Sequence, residues 1–219
     1  MSDLASQPAL PRLGAAAPAF EADSTLGRIA LGDFAGSWVV LFSHPADFTP
    51  VCTTEFLAFA EIAPRLRDMN CEPVGLSIDS IYAHIGWLKR IEELRGAAID
   101  FPVIADANRA VATAYGMIHE DDAGTETSRC LFVIDPKGIM RAMIYYPLTT
   151  GRNMAEILRL VEALQATDTH GLGTPANWQA GDRMLHPAPK ELDMANRAAG
   201  DGEQVEDWFL RFQSVPTDN

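Results

Sequence analysis

The sequence predicts an α/β protein with a mixed central sheet flanked by helices, followed by a small C-terminal extension. Short apolar runs of strand length alternate along the chain with segments of helical periodicity. One Pro-Gly turn marks a hairpin late in this pattern, and the composition then changes near residue 167. Alternating strands and helices are typical of a sheet that is covered by helices on its faces.

The first half of the predicted domain contains three strand–helix units. The strands are predicted at the apolar runs 37–44, 74–79 and 101–105, the first of which has the pattern of a strand buried on both faces. The helices are predicted from Thr49 through Leu66, from Ile81 to Leu94 and from Arg109 to Tyr115. This half therefore has a β-α-β-α-β-α order.

The second half is predicted to contain a hairpin and one more helix. The apolar segments 130–134 and 139–145 flank Asp135-Pro-Lys-Gly138, whose Pro and Gly positions are typical of a turn. Asn153 is a good N-cap for a helix that continues through Leu164. These elements complete a predicted domain over residues 1–166.

The remaining residues, 167–219, are rich in Gly and Pro and have few apolar runs besides Trp208–Phe212. A segment of this size and polarity holds little core of its own. We therefore predict a loop-rich extension that packs on the main domain or on a partner subunit.

Composition limits the partners and the compartment. The 219 residues include 17 Lys and Arg against 30 Asp and Glu, for a net charge of −13, which disfavours nucleic acid and anionic membrane surfaces. Asp3 and three prolines interrupt the first 18 residues, so we expect neither an export signal nor a membrane span. Three scattered cysteines are too few for a disulfide scaffold, and a reducing, cytoplasmic setting is expected.

The candidate chemistry lies where the first predicted strand meets the first helix. Thr49 is a suitable N-cap and Pro50 suits the first helical position, which places Cys52 in the first turn. Free backbone N–H groups and the helix dipole favour a thiolate there, which would supply a nucleophile. The alternative is that Cys52 is a small buried hydrophobic residue.

Pro45, Thr49 and Cys52 together form a Pro-x-x-x-Thr-x-x-Cys motif. This motif resembles the signature of the peroxiredoxins, thiol peroxidases of thioredoxin-like fold, and the string SHPADFTPVCTTE resembles their 1-Cys, peroxiredoxin-6-type branch. Three further segments resemble the same branch: SRCLFVID with Arg129, TTGRNMAEILRLVEALQ from Thr149, and TPANWQAGD from Thr174. The resemblance covers about Phe20 to Asp182, and it implies a thioredoxin-like fold for this chain.

The resemblance also implies roles for four residues. Cys52 would attack the terminal oxygen of a hydroperoxide, Thr49 would offer its hydroxyl to the peroxide, and Pro45 would shield the pocket from water. Arg129 would stabilise the thiolate and hold the peroxide. The alternatives are that Thr49 only caps the helix, Pro45 only ends the strand and Arg129 is a solvated charge at a strand end.

Three supporting residues follow from the same resemblance. His44 matches a pocket histidine, Glu55 would orient Arg129, and Arg152 takes the place of a second pocket arginine. The alternatives are that His44 is a packed or solvated histidine, that Glu55 only interacts favourably with the dipole at the helix start, and that Arg152 is a charge at a helix start.

The sulfenic acid formed on Cys52 must then be reduced. No cysteine follows Cys130, and Cys71 and Cys130 both lie on apolar strands, so we interpret these two as buried structural thiols. A one-cysteine mechanism is therefore predicted, with an external thiol as reductant: glutathione, a thioredoxin-like protein or a small thiol. The resemblance implies a homodimer in which the extension 167–219 takes part, and it allows a ring of dimers that forms a decamer.

Other functions fit the sequence less well. A disulfide oxidoreductase needs Cys-x-x-Cys, which is missing around Cys52. A lipase activity credited to some members of the branch needs Gly-x-Ser-x-Gly, but here Ser37 lies in Ala-Gly-Ser-Trp-Val. A non-catalytic binding or chaperone-like protein remains an alternative. No cofactor is expected and no metal site either, because His44 and Cys52 lack a second ligand pair at a usual spacing.

Overall fold

The computed structural model describes residues 10–216 of the chain. Residues 1–9 lie outside the described residues. They include Asp3 and Pro8, on which the expectation of no export signal partly rests. The chain divides into two compact units between Met154 and Ala155, whereas the domain boundary after residue 166 stays a prediction. Within the described part, no helix is both long enough and apolar enough to cross a membrane.

The secondary structure follows the predicted alternation and adds elements at both ends. The strands are β1 (Glu21–Ser24), β2 (Gly27–Ala30), β3 (Trp38–Ser43), β4 (Cys71–Ser77), β5 (Val103–Ala105), β6 (Arg129–Ile134), β7 (Met140–Tyr146), β8 (Met184–Leu185), β9 (Glu203–Asp207) and β10 (Leu210–Gln213). The helices are α1 (Pro50–Asp68), α2 (Ile81–Arg95), α3 (Ala110–Ala114), α4 (Glu120–Ala123), α5 (Met154–His170) and α6 (Leu192–Ala195).

The first unit is built on a seven-stranded mixed sheet with the order β2-β1-β5-β4-β3-β6-β7. Strands β3, β4 and β5 are parallel neighbours, and β6 and β7 are antiparallel to the strands beside them. Every residue of the central strands β3 and β6 is buried, because their apolar runs face other elements on both sides. The predicted mixed α/β architecture is confirmed.

An aromatic cluster joins α1 to the sheet. The ring of Phe42 on β3 stacks on Phe59 of α1 with 3.8 Å between centroids, and its edge contacts Phe56 at 5.6 Å. Gly75 on β4 leaves room for these rings, since a Cβ atom at that position would lie 3.3 Å from both Phe42 and Phe56. The close approach at Gly75 therefore allows α1 to pack tightly on the strands.

The start of α1 agrees with the sequence in position but differs in one contact. Thr49 is the N-cap, with an extended backbone (φ −101°, ψ 149°), and Pro50 is the first helical residue. The Thr49 hydroxyl does not cap the helix; it donates to the carbonyl of Ala46 at 2.9 Å. Thr49 therefore occupies the N-cap position without a side-chain cap, and a role for its hydroxyl in the site stays a prediction.

The sequence pattern did not predict the first hairpin, the short helices α4 and α6, or a sheet in the extension. The hairpin of β1 and β2 forms an edge of the large sheet, where one of its eight strand residues is buried and apolar alternation is weak. The extension is not loop-rich throughout, because β8, β10 and β9 form a three-stranded antiparallel sheet in the second unit. There Arg211 pairs with Glu203 at 2.6 Å, a contact that leaves no trace in hydrophobic periodicity.

The close approach at Gly75 generates a test of the packing. Gly75→Ala should lower the free energy of unfolding by about 1–3 kcal/mol, because the rings of Phe42 and Phe56 must shift. Gly86→Ala, on the exposed side of α2 and 3.9 Å from Phe48, should instead raise it by about 0.5–1 kcal/mol through helix propensity. Denaturant unfolding of both variants would measure the difference, and equal effects would contradict the packing described.

Candidate active site

Cys52 lies in the first turn of α1 and is completely buried. The first backbone N–H groups of a helix have no partner within it and carry the positive end of the helix dipole. The sulfur is therefore held where negative charge is favoured, which supports the thiolate expected from the sequence.

Arg129 reaches Cys52 because of the sheet topology. Strand β6 runs antiparallel to β3, so the amino end of β6 meets the carboxyl end of β3, where α1 also begins. Arg129 is 3% exposed, its Nη1 lies 3.3 Å from the Cys52 Sγ, and its Nε donates to the carbonyl of Leu148 at 2.9 Å. The alternative of a solvated charge at a strand end is wrong.

Glu55 joins the two candidate arginines. Its Oε2 accepts from Arg129 Nη1 at 2.6 Å and from Arg152 Nη2 at 2.7 Å. Its Oε1 accepts from Arg152 Nε at 2.8 Å and from the Arg152 backbone N–H at 2.9 Å. All three side chains are buried, so Glu55 does more than match the helix dipole.

Arg152 binds the two strands that lie beside the site. Its Nη1 donates to the carbonyls of Ser43 at 3.0 Å and Cys130 at 2.9 Å, which lie on the neighbouring strands β3 and β6. Its guanidinium also lies over the ring of Phe42, 5.1 Å from the centroid. Arg152 therefore contributes to the site through Glu55, and a solvated charge at a helix start does not describe it.

The charges of this network are unequal. The guanidinium groups of Arg129 and Arg152 carry two positive charges, and the carboxylate of Glu55 carries one negative charge. A thiolate on Cys52 balances the remaining positive charge, whereas a neutral thiol leaves it unpaired inside the protein. Because charges interact strongly away from water, a negative group beside Arg129 would offset this remaining positive charge.

Pro45 and Thr49 belong to the loop between β3 and α1. Pro45 is buried, as expected of a residue that keeps water from the sulfur. The Thr49 hydroxyl directs its hydrogen at Ala46, so its oxygen lone pairs are available to accept a hydrogen bond from a bound hydroperoxide.

His44 is buried at the end of β3 and belongs to a second polar network. Its Nε2 lies 2.8 Å from Asp47 Oδ1, and the other oxygen of that carboxylate lies 2.8 Å from Nδ1 of His84 on α2. Burial lowers the pKa of His44. Burial would raise the pKa of Asp47, but hydrogen bonds to His44 and His84 outweigh it and hold that pKa below its usual range.

His44 is not isolated, so the expectation that it lacks neighbouring ligand residues is wrong. Donor atoms of His44, Asp47 and His84 lie within 4.8 Å of one another, a grouping that could hold a metal ion. The contacts at 2.8 Å are those of direct hydrogen bonds. Sequence reasoning missed Asp47 and His84, although His84 shares the buried face of α2 with Trp87 and Ile91, which was the available signal.

The other two cysteines are free, buried thiols. Burial raises the pKa of Cys71 to about 12 and that of Cys130 to about 12. Both are therefore protonated and unreactive at neutral pH, as expected of structural thiols. Ser37, considered for a lipase, donates its hydroxyl to Asn70 Oδ1 at 2.9 Å.

Comparison with known proteins shows similarity along most of the chain. Residues 13–143 match the AhpC/TSA family, and residues 163–200 match the C-terminal domain of 1-Cys peroxiredoxin. A peroxiredoxin of Aquifex aeolicus is 50% identical over 217 residues, covering 94% of this chain and 98% of that protein. A peroxiredoxin of Methanosarcina mazei is 46% identical over 211 residues, covering 92% and 96%.

Two solved structures show the same similarity in three dimensions. One is the yeast mitochondrial 1-Cys peroxiredoxin, which is 41% identical with a TM-score of 0.85. That structure concerns its thiol resolving mechanism via glutathione/thioredoxin systems. The match covers 94% of this chain and 100% of that one. A cysteine-to-serine mutant of the peroxiredoxin 6 of Arenicola marina is 35% identical with a TM-score of 0.83, covering 94% and 99%.

The buried network generates a test of stability. Glu55→Gln should lower the free energy of unfolding by about 3 kcal/mol, because it leaves Arg129 and Arg152 buried without their shared carboxylate. Glu93→Gln, which breaks an exposed pair with Arg90, should change it by less than about 0.5 kcal/mol. Denaturant unfolding measures both, and a small loss in Glu55→Gln would show that Glu55 is not the centre of the network.

Proposed function

The chain belongs to the AhpC/TSA family of peroxiredoxins, which are peroxidase enzymes, and from this premise we propose how it works. It reduces hydrogen peroxide and organic hydroperoxides through Cys52, and an external thiol recycles the oxidised cysteine. The observation that carries the proposal is the contact of Arg129 Nη1 with the Cys52 sulfur at 3.3 Å, at a helix start and beside a network with excess positive charge.

The chemical step follows from these positions. The Cys52 thiolate attacks the terminal oxygen of the hydroperoxide, so an S–O bond forms while the O–O bond breaks. The sulfur is oxidised to a sulfenic acid, which keeps the hydrogen of that oxygen. The leaving alkoxide or hydroxide takes a proton from solvent and departs as alcohol or water. Arg129 stabilises the negative charge through this step, and the Thr49 oxygen accepts a hydrogen bond that orients the peroxide.

Recycling requires a thiol from outside the chain. Cys71 and Cys130 are buried and have pKa values of about 12, which makes them poor partners for the sulfenic acid. A first external thiol condenses with the sulfenic acid, releasing water and forming a mixed disulfide. A second thiol then attacks that disulfide and releases Cys52. Glutathione, a thioredoxin-like protein or a small thiol would serve, and the glutathione/thioredoxin systems act in the thiol resolving mechanism of the yeast mitochondrial relative.

The proposal extends to the setting of the enzyme. A reducing compartment such as the cytoplasm would supply the external thiol. The match of residues 163–200 to the C-terminal domain of 1-Cys peroxiredoxin supports a role of the extension 167–219 in a homodimer, and dimers could assemble further into a decamer.

The proposal predicts which cysteine is essential. With dithiothreitol as reductant, the wild-type protein should consume hydrogen peroxide over many turnovers, and Cys52→Ser should reduce this to the uncatalysed rate. Cys71→Ser and Cys130→Ser are matched controls that should retain activity, because these buried thiols take no part in the cycle.

Mass spectrometry would locate the product of the same reaction. After one equivalent of hydrogen peroxide, a single added oxygen or its mixed disulfide should be found on the peptide that contains Cys52. Full activity in Cys52→Ser, or first oxidation at Cys71 or Cys130, would sink the proposal.

A further inference from the structure

The proposed reaction uses Cys52, Arg129 and Thr49, but it does not use the buried network of His44, Asp47 and His84. Both histidines are 0% exposed and Asp47 is 7% exposed. Asp47 bridges the two rings through its two oxygens, and His84 Nε2 lies 3.1 Å from the carbonyl of Ile104 on β5. A buried polar network of this kind fixes the orientation of the rings that it joins.

The partners of each ring determine where the protons are. The Ile104 carbonyl only accepts, so His84 carries a proton on Nε2; the Asp47 carboxylate also only accepts, so His84 donates from Nδ1 as well. His44 donates to the same carboxylate from Nε2. Burial lowers the pKa of His44 and so favours its neutral form, in which the ring carries a single proton.

This arrangement leaves one atom without a partner. Nδ1 of His44 is buried and has no hydrogen-bond partner. Because Nε2 holds the single proton of the neutral ring, Nδ1 is an unprotonated acceptor. A buried acceptor without a donor is costly and rare, which indicates that a donor reaches it during function.

His44 is next to the helix face that carries the reactive cysteine. Its ring contacts the ring of Phe56 edge-on, with 4.8 Å between centroids, and Phe56 lies one helical turn after Cys52. The backbone N–H of Asp47 also donates to Asp79 Oδ2 at 3.0 Å. Asp47 therefore ties the loop of Pro45 and Thr49 both to α2 and to the end of β4.

We propose that Asp47 and His84 are positioning residues of the peroxidase reaction. They hold His44 in the tautomer whose Nδ1 is free to accept a hydrogen bond, and the donor is the O–H of hydrogen peroxide that does not face Thr49, or the O–H of the sulfenic acid on Cys52. His84 acts only through Asp47 and His44 and does not touch the substrate. This inference rests on the proposed function of Cys52.

Two replacements of His84 separate its two hydrogen bonds. Asn places its amide nitrogen where Nδ1 lies and keeps the donor to Asp47, whereas Gln places its amide nitrogen near Nε2 and keeps only the donor to Ile104. Single-turnover oxidation of Cys52 by hydrogen peroxide should be about 10- to 100-fold slower in His84→Gln and within about 3-fold of wild type in His84→Asn. His170→Asn, an exposed histidine, is the control and should not change the rate.

Nitrogen-15 NMR of the imidazole rings measures which nitrogen of each ring is protonated. A purely structural role of Asp47 and His84 would leave the protonation of His44 unchanged in their variants. In the wild-type protein His44 should be protonated on Nε2 only. Asp47→Asn should change the protonation of His44 and slow Cys52 oxidation, and His84→Gln should do so to a smaller extent. Denaturant unfolding of each variant identifies any that fails to fold, in which case the His84→Asn protein and the wild-type NMR spectrum still decide the question.

Several results would overturn the inference. One is a proton on Nδ1 of His44 in the wild-type protein; another is equal oxidation rates in folded His84→Gln, His84→Asn and wild type. A stoichiometric metal ion bound to His44 Nε2 and His84 Nδ1 would show a metal centre instead of a proton network. If the wild-type protein did not oxidise at Cys52, the proposed function itself would fail, so the two failures can be distinguished.

Discussion

The carboxylate of Glu55, held between two buried guanidinium groups, is the interaction on which the site depends. It takes two hydrogen bonds from the Arg152 side chain and one from Arg129, which is itself 3.3 Å from the Cys52 sulfur. Burial of three charges is costly unless each is paired, and here one positive charge remains. In the proposed function a thiolate on Cys52 would supply the missing negative charge, so the stability of the network and the reactivity of the sulfur would have the same cause.

The fold brings these groups together from distant parts of the chain. Cys52 and Glu55 lie on one face of the first turns of α1, Arg129 begins β6, and Arg152 lies two residues before the start of α5. The antiparallel pairing of β6 with β3 places the start of one strand beside the end of the other. Arg152 then secures both strands through the carbonyls of Ser43 and Cys130. The reactive sulfur is therefore set by the register of the sheet as well as by its own helix.

The elements with strong periodicity could be predicted from sequence, and so could the position of Cys52 in a helix start with Pro50 as its first residue. The short hairpin of β1 and β2 and the sheet of β8, β10 and β9 could not, because edge pairing and ion pairs leave no apolar pattern. Asp47 and His84 were missed for a related reason. They are 37 residues apart, and only the packing of α2 beside the loop makes their contact visible.

The central claim is that excess positive charge around Cys52 holds it as a thiolate. The most direct measurement is the ultraviolet thiolate absorbance of Cys52 as a function of pH, taken as the difference between each protein and its Cys52→Ser counterpart. The account predicts a thiolate at neutral pH in the wild-type protein, its loss at neutral pH in Arg129→Met, and at least partial recovery in Arg129→Lys, which restores the charge. A protonated Cys52 at neutral pH in the wild type, or the same titration in Arg129→Met, would contradict it.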